Sequence, residues 1–66
     1  MNTRILRKTY SDSNGKVWYT VYESENGMFE LRDHNDCLVA AYTNPDAAFK
    51  VAEKNLEKVK NQLLLG

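Results

Sequence analysis

The sequence predicts an α+β fold, an antiparallel four-stranded meander packed against one long C-terminal amphipathic helix. Three observations support this. Residues 17–22 are all β-branched or aromatic, which favours a strand. Short polar or glycine-containing segments divide the chain before Thr43 into strand-length pieces. After Asn44, apolar residues recur every three or four positions, as in a helix packed on one side.

The first two strands are predicted at Thr3–Tyr10 and Lys16–Glu23, joined by the turn-forming run Ser11–Gly15. Basic residues around Ile5 and Leu6 place the first strand at a sheet edge. Alternation on the second strand gives two sets of side chains, Val17, Tyr19 and Val21 in one and Trp18, Thr20 and Tyr22 in the other. We expect the first set to face the helix, although the opposite register fits the pattern nearly as well. Either choice leaves aromatic rings on the other side of the sheet.

The next two strands are predicted at Met28–Asp33 and Cys37–Tyr42. Asn26-Gly27 precedes the third strand and is typical of a type I′ turn, in which both central residues have positive φ. The polar run Asp33–Asp36 forms the turn before the fourth strand.

The helix is predicted from Pro45 to about Leu64, with Asn44 as its N-cap and Asp46 in its first turn. Its apolar stripe consists of Ala48, Phe49, Ala52, Leu56, Val59 and Leu63. A helix of this length spans about 30 Å, whereas a six- or seven-residue strand covers about 20 to 23 Å. The last turns are therefore expected to overhang the sheet and to favour contact with a second copy or a partner. The alternative, an end that frays or folds back on the sheet rim, stays open.

Length and composition predict a single ββββα domain over residues 1–66, with nine basic and nine acidic residues and no net charge. The lone Cys37 cannot form an internal disulfide, which favours a reducing cytoplasm. No apolar run approaches the length of a signal peptide core or a membrane helix, so we expect neither secretion nor membrane insertion.

Catalysis is not expected, and we predict no cofactor, no metal ion and no catalytic residue. Asp33, His34, Asp36 and Cys37 form the densest cluster of reactive groups, but no second His or Cys completes a metal site. Cys37 and His34 flank a turn with no groove around them, which favours a structural cysteine. The domain is also too small for a deep active-site pocket.

Basic residues interleaved with aromatic rings can contact phosphates and stack on bases, and this pattern includes Arg4, Arg7, Lys8, Lys16 and Arg32, near Trp18 and Tyr22. From Lys16 to about Leu56 the chain resembles the small sheet-plus-helix DNA-binding domains of the Apetala2 and integrase-arm types. The resemblance is carried by the strand KVWYTVY, the NG turn and the helix start TNPDAA. It implies a sheet face that reads DNA.

The function we predict is a small non-enzymatic binding module, an accessory or inhibitory factor of a kind that viruses also encode. It is expected to contact a protein partner, or itself as a homo-oligomer, through an aromatic sheet face and the helix C-terminus. The predicted contact residues are Trp18, Tyr22, Arg32, Leu63 and Leu64. The alternative is a weak DNA- or RNA-binding domain that uses Arg4, Arg7, Lys8 and Lys16.

Overall fold

The structure, a computed structural model, describes residues 4–65 and contains four antiparallel strands followed by one helix. The elements are β1 (Ile5–Ser11), β2 (Val17–Glu23), β3 (Phe29–Asp33), β4 (Leu38–Tyr42) and α1 (Pro45–Leu65). The strand order is β1-β2-β3-β4, so every strand pairs with its neighbour in sequence. The predicted α+β meander with a single C-terminal helix is confirmed.

The predicted element bounds differ from the observed ones by only one or two residues. β2, β3 and β4 each begin one residue later than predicted, and β1 extends one residue further, to Ser11. Thr3, the predicted start of the first strand, lies outside the described residues. Asn44 is the helix N-cap as predicted, because its Oδ1 accepts a hydrogen bond from the Asp46 backbone N–H at 2.8 Å.

All three hairpin turns share one geometry. In each turn, the first residue donates its backbone N–H to the carbonyl oxygen of the last residue, four positions later. The carbonyl oxygen of the first residue accepts a hydrogen bond from the N–H of the residue three positions later. The first and last residues of the three turns are Asp12 and Lys16, Ser24 and Met28, and Asp33 and Cys37. The residue just before the last one of each turn has positive φ, and these residues are Gly15, Gly27 and Asp36. This is a three-residue loop made of a type I turn and a left-handed bulge residue.

The predicted type I′ turn at Asn26-Gly27 is therefore wrong. A type I′ turn needs positive φ at both residues, and Asp36 is the one non-glycine residue with positive φ in the described chain. Asn26 instead accepts a hydrogen bond from the Met28 N–H through its Oδ1, at 3.1 Å. An Asn-Gly pair suits either turn, so sequence alone did not separate them.

The core lies between α1 and one side of the sheet. Val21 and Leu31 are fully buried there, beneath Ala48 and Ala52 of the helix. The small alanine side chains let the helix approach the sheet closely. Tyr10 and Leu56 complete the buried set.

The predicted inward set on β2 is confirmed for two of its three members. Val21 is buried, and Tyr19 is half-buried against the core. Val17 is 40 % exposed, because the register irregularity at Trp18 breaks the alternation and pairs Val17 with the exposed Ser11. Tyr10 faces the same side opposite Tyr19, and its buried hydroxyl has no hydrogen-bond partner. Burial raises the pKa of that hydroxyl.

The helix is longer than the sheet that it covers. Its 21 residues span about 31 Å, against about 23 Å for the seven residues of β1 or β2. Leu56 is the last buried residue described, and Val59 is half-buried. Leu63 is 56 % exposed and Leu64 is 84 % exposed. The predicted exposure of these two leucines is confirmed.

Candidate functional site: the outer face of the sheet

The side of the sheet that faces away from α1 is called here the outer face. Strand register and side-chain alternation place on it Leu6, Thr9, Thr20, Tyr22, Glu30, Arg32, Leu38 and Ala41. No helix or strand within residues 4–65 covers this side. Of the five predicted contact residues, Tyr22 and Arg32 lie on it. The placement of Trp18 on this face is corrected: Trp18 falls at the register irregularity of β2, which breaks the alternation, and its half-buried ring packs against the core.

Tyr22 lies beneath an arginine that reaches across the sheet. The guanidinium carbon of Arg4 is 4.3 Å from the centre of the Tyr22 ring, which is a cation–π contact. The same guanidinium donates two hydrogen bonds, of 3.2 and 3.4 Å, to the carboxylate of Asp36 in the β3–β4 turn. These hydrogen bonds raise the pKa of Arg4. The cation is thus held in one place over the ring.

Arg32 is fixed by the same turn and by its own strand. Its Nε donates to Glu30 Oε1 at 3.1 Å, and its second terminal nitrogen lies 3.0 Å from the same oxygen. It also donates to the backbone carbonyl of Asp36 at 2.8 Å. Arg4, Asp36, Arg32 and Glu30 therefore form one charge-paired network across the outer face, with Tyr22 beside it.

Trp18 is held by three neighbours. Its indole Nε1–H donates to Asp12 Oδ2 at 2.9 Å, and Lys16 Nζ lies 4.1 Å from the ring centre. His34 meets the ring edge-on, with the ring centres 5.3 Å apart. The indole hydrogen bond, together with the backbone N–H groups of Asn14 and Lys16, lowers the pKa of Asp12. Trp18 is half-buried and connects the β1–β2 turn to the β3–β4 turn.

The basic residues predicted to contact nucleic acid are all engaged within the chain. Arg4 contacts Asp36, and Arg7 contacts Glu23 at 3.4 Å. Lys16 lies over Trp18, and Lys8 Nζ lies 5.1 Å from the centre of the Tyr10 ring. Each of the arginines described has a carboxylate partner, so the charge of each arginine is balanced within the chain.

The helix end forms a second surface. Leu63, Leu64 and Lys60 line a depression whose other wall is the β1–β2 turn, residues 12–14. Asp12 belongs to this wall and also holds Trp18. Asp12 therefore links the helix-end depression to Trp18.

Within residues 4–65, no three His, Cys, Asp or Glu side chains are grouped so that they could hold a metal ion. The Cys37 thiol is exposed, and His34 packs on Trp18. No helix in this part of the chain has the length and apolar character needed to cross a membrane.

Comparison with known proteins gave no match: no family model fits the sequence, and neither a curated protein nor a solved structure is similar to it.

Sequence reasoning found the aromatic and basic residues of the outer face but missed the carboxylates that hold them. Asp12 and Asp36 were assigned to turns, and their side chains proved to hold Trp18 and Arg4. Asp12 carries a signal, because an Asp that opens a turn often accepts hydrogen bonds from the residues after it. No local signal joins Arg4 to Asp36, which are 32 residues apart.

Proposed function

We propose that this domain is a non-enzymatic binding module, an accessory or inhibitory factor that contacts a protein partner through the outer face. One observation carries the proposal: the Tyr22 ring, Arg4 and Arg32 are held in fixed positions on the uncovered side of the sheet, and Asp12 holds the half-buried Trp18 ring at the β1–β2 turn. Aromatic and arginine side chains dominate binding energy at protein interfaces. Because the rings are already held, little conformational entropy is lost when a partner binds.

The charge pattern supports a protein partner over a nucleic acid. Phosphates are bound by basic residues that are free to exchange counterions for the nucleic-acid backbone. Here Arg4, Arg7 and Arg32 each contact a carboxylate, so a phosphate would displace an ion pair already formed. Mixed charges around aromatic rings instead resemble the polar rim of a protein interface. A cytoplasmic location, proposed from the lone Cys37, is compatible with either partner.

The test compares two variants that keep the core intact. A protein retained by the immobilised domain from a nuclease-treated extract is identified, purified and titrated against each variant. Leu6→Glu places a charge next to Tyr22 on the outer face, and Leu6 is 56 % exposed. Lys54→Glu changes an exposed residue on the opposite, solvent side of α1. We expect at least a tenfold loss of affinity for Leu6→Glu and no change for Lys54→Glu.

Equal binding by both variants would contradict the proposal. The nucleic-acid alternative is tested by titrating DNA and RNA oligonucleotides at two salt concentrations. Binding that weakens by orders of magnitude between about 50 and 200 mM salt, and that Lys16→Ala reduces, would replace the protein partner with nucleic acid.

A further inference from the structure

The two edges of the sheet differ in charge. β1 carries Arg7 and Lys8, and Arg7 is itself an extra residue in the pairing with β2. Charged side chains and bulges on an edge strand discourage pairing with another chain. β4 has the sequence LVAAY, without a charged residue. Leu38 and Val39 on this strand are 54 % and 47 % exposed. β4 is therefore the edge that is open to another strand.

The regular part of β4 is its second half. The single register irregularity of this strand falls at Val39, between the pairs Leu31–Ala40 and Arg32–Leu38. From Ala40 to Tyr42 the pairing with β3 is regular. Tyr42 and Ala40 lie on the helix side, and Ala41 is exposed on the outer face.

We propose that β4 pairs antiparallel with β4 of a second copy, about a two-fold axis at Ala41, to form an eight-stranded sheet. The inference goes beyond the proposed function, because it concerns the β4 edge of the sheet and not its outer face. In this arrangement Tyr42 lies opposite the partner's Ala40, so a large side chain meets a small one. At the axis, Ala41 lies opposite the partner's Ala41, and two methyl groups let the strands approach.

Symmetry and charge favour a second copy of the chain as the partner of the β4 edge. A two-fold axis places each residue near its own counterpart, so a strand with charges meets the same charges. β1 paired with itself in this way would bring Arg7 and Lys8 near their own copies, whereas β4 paired with itself brings no charges together. An antiparallel pair also satisfies the outward N–H and C=O groups of both strands at once. The pairing therefore avoids the repulsion of like charges and satisfies the hydrogen bonds of both edges.

The pairing involves only a few residues, so the affinity of the dimer should be low. A stable interface usually buries about 1,200 to 2,000 Å² in total, and a few residues of paired strand bury less. We therefore expect a weak dimer whose mass depends on concentration.

The first experiment measures mass by light scattering after gel filtration, from about 10 μM to about 1 mM, where weak dimers dissociate. The native chain should rise from 7.6 kDa to about twice that mass. Ala41→Lys, which gives β4 the kind of charge that β1 already has, should stay at 7.6 kDa throughout. Thr9→Lys is the matched control, an exposed residue on β1, and should behave as the native chain. A native chain that stays monomeric, or a dimer unaffected by Ala41→Lys, overturns the proposal.

A second experiment tests the axis without depending on the stability of Ala41→Lys. Directly opposed residues on antiparallel strands have Cα atoms about 4.5 to 5.5 Å apart, within the span of a disulfide. Ala41→Cys in a Cys37→Ser background should therefore form a disulfide-linked dimer at least tenfold faster than Thr9→Cys in the same background. Equal rates overturn the assignment of the axis.

Two more variants separate this inference from the proposed function and from the helix end. Leu6→Glu should abolish partner binding by the outer face and leave the dimer intact. Leu63→Asp with Leu64→Asp should also leave the dimer intact. A dimer lost in the leucine variant and kept in Ala41→Lys would place the contact at the end of α1 and overturn the β4 pairing.

Discussion

The two sides of the sheet are built on different physical principles. On the side under α1, Val21 and Leu31 are fully buried and stabilised by the removal of apolar surface from water. On the outer face, Tyr22 lies beneath Arg4, and Arg4 is linked to Asp36 in the β3–β4 turn. Burial holds the first side, and a small set of polar contacts holds the second. Stability and recognition are therefore separable by substitution.

The largest effect is expected in the core. Leu31→Ala removes a fully buried side chain and should lower the free energy of unfolding by about 2 to 5 kcal/mol, a large share of the stability of so small a domain. Urea denaturation followed by Trp18 fluorescence measures it. Leu64→Ala, at a residue 84 % exposed, should change the same quantity by less than about 0.5 kcal/mol. Similar losses in both variants would contradict the assigned core.

An intermediate effect on stability is expected at Trp18, which packs against the core and links two turns. Trp18→Ala removes this half-buried ring and should cost about 2 kcal/mol, less than a fully buried aromatic residue. Urea denaturation followed by far-UV circular dichroism measures the loss. Leu38→Ala, at an exposed residue of the outer face, is the control. If the two losses agree within about 0.5 kcal/mol, Trp18 has no structural role.

A smaller effect is expected from pH. The pKa of Asp12 is lowered chiefly by the Trp18 indole, and that of Asp33 chiefly by the Cys37 backbone N–H. A carboxylate whose folded pKa lies below its unfolded value of about 3.9 adds stability above that value. This stability is lost as the pH falls through the folded pKa. Stability should thus decrease below about pH 4.

Substitution of Asp12 tests whether its carboxylate contributes to this pH dependence. Asp12→Asn should flatten the acid limb of the stability profile, measured by thermal unfolding at a series of pH values. Ser13→Ala, in the same turn, should keep the native slope. An Asp12→Asn profile parallel to that of the native chain would show that this carboxylate does not contribute to acid-dependent stability.

The smallest effect on stability is expected at Asp36, where stability and binding should change in opposite directions. Asp36 has φ 62°, whereas the other two turns have glycine at the same position. Asp36→Gly relieves an unfavourable backbone conformation and should raise the free energy of unfolding by less than about 1 kcal/mol. It also removes the carboxylate that holds Arg4 over Tyr22, so partner binding should weaken.

The matched control is Gly27→Ala in the β2–β3 turn. A Cβ at Gly27 meets no atom within 4 Å, so the substitution is unfavourable only because of the positive φ. It should lower the free energy of unfolding by about 1 kcal/mol. Partner binding should be unchanged, since Gly27 lies in a different turn. If Asp36→Gly binds as the native chain does, the carboxylate of Asp36 has no part in the interface.

The sequence predicted what depends on local pattern. The order of strands and helix, the buried Val21 and the N-cap Asn44 followed from periodicity and from residue types at neighbouring positions. The network of the outer face did not, because its members meet only once the strands are in register. Arg4 and Asp36 are 32 residues apart and lie on non-adjacent parts of the sheet. No pattern along the chain connects them.

The turn geometry and the environment of Tyr10 also escaped prediction. Asn-Gly is compatible with two- and three-residue loops, and only the hydrogen bond from Ser24 N–H to Met28 carbonyl distinguishes them. Tyr10 ends a predicted edge strand, where an aromatic ring is usually half-exposed. In the structure it is 5 % exposed, because α1 extends over that end of β1. Helix position, unlike helix existence, depends on the tertiary structure.

The repeated three-residue loop has a consequence for how the chain reaches its native state. Every strand pairs with the next one along the sequence, so each hairpin closes with a small loss of loop entropy. Folds dominated by such short-range pairings cross their transition state quickly, in milliseconds or less for domains of this size. We expect stopped-flow refolding in a single fast phase. In this phase the hairpins form one after another, and packing of α1 on the sheet then stabilises it.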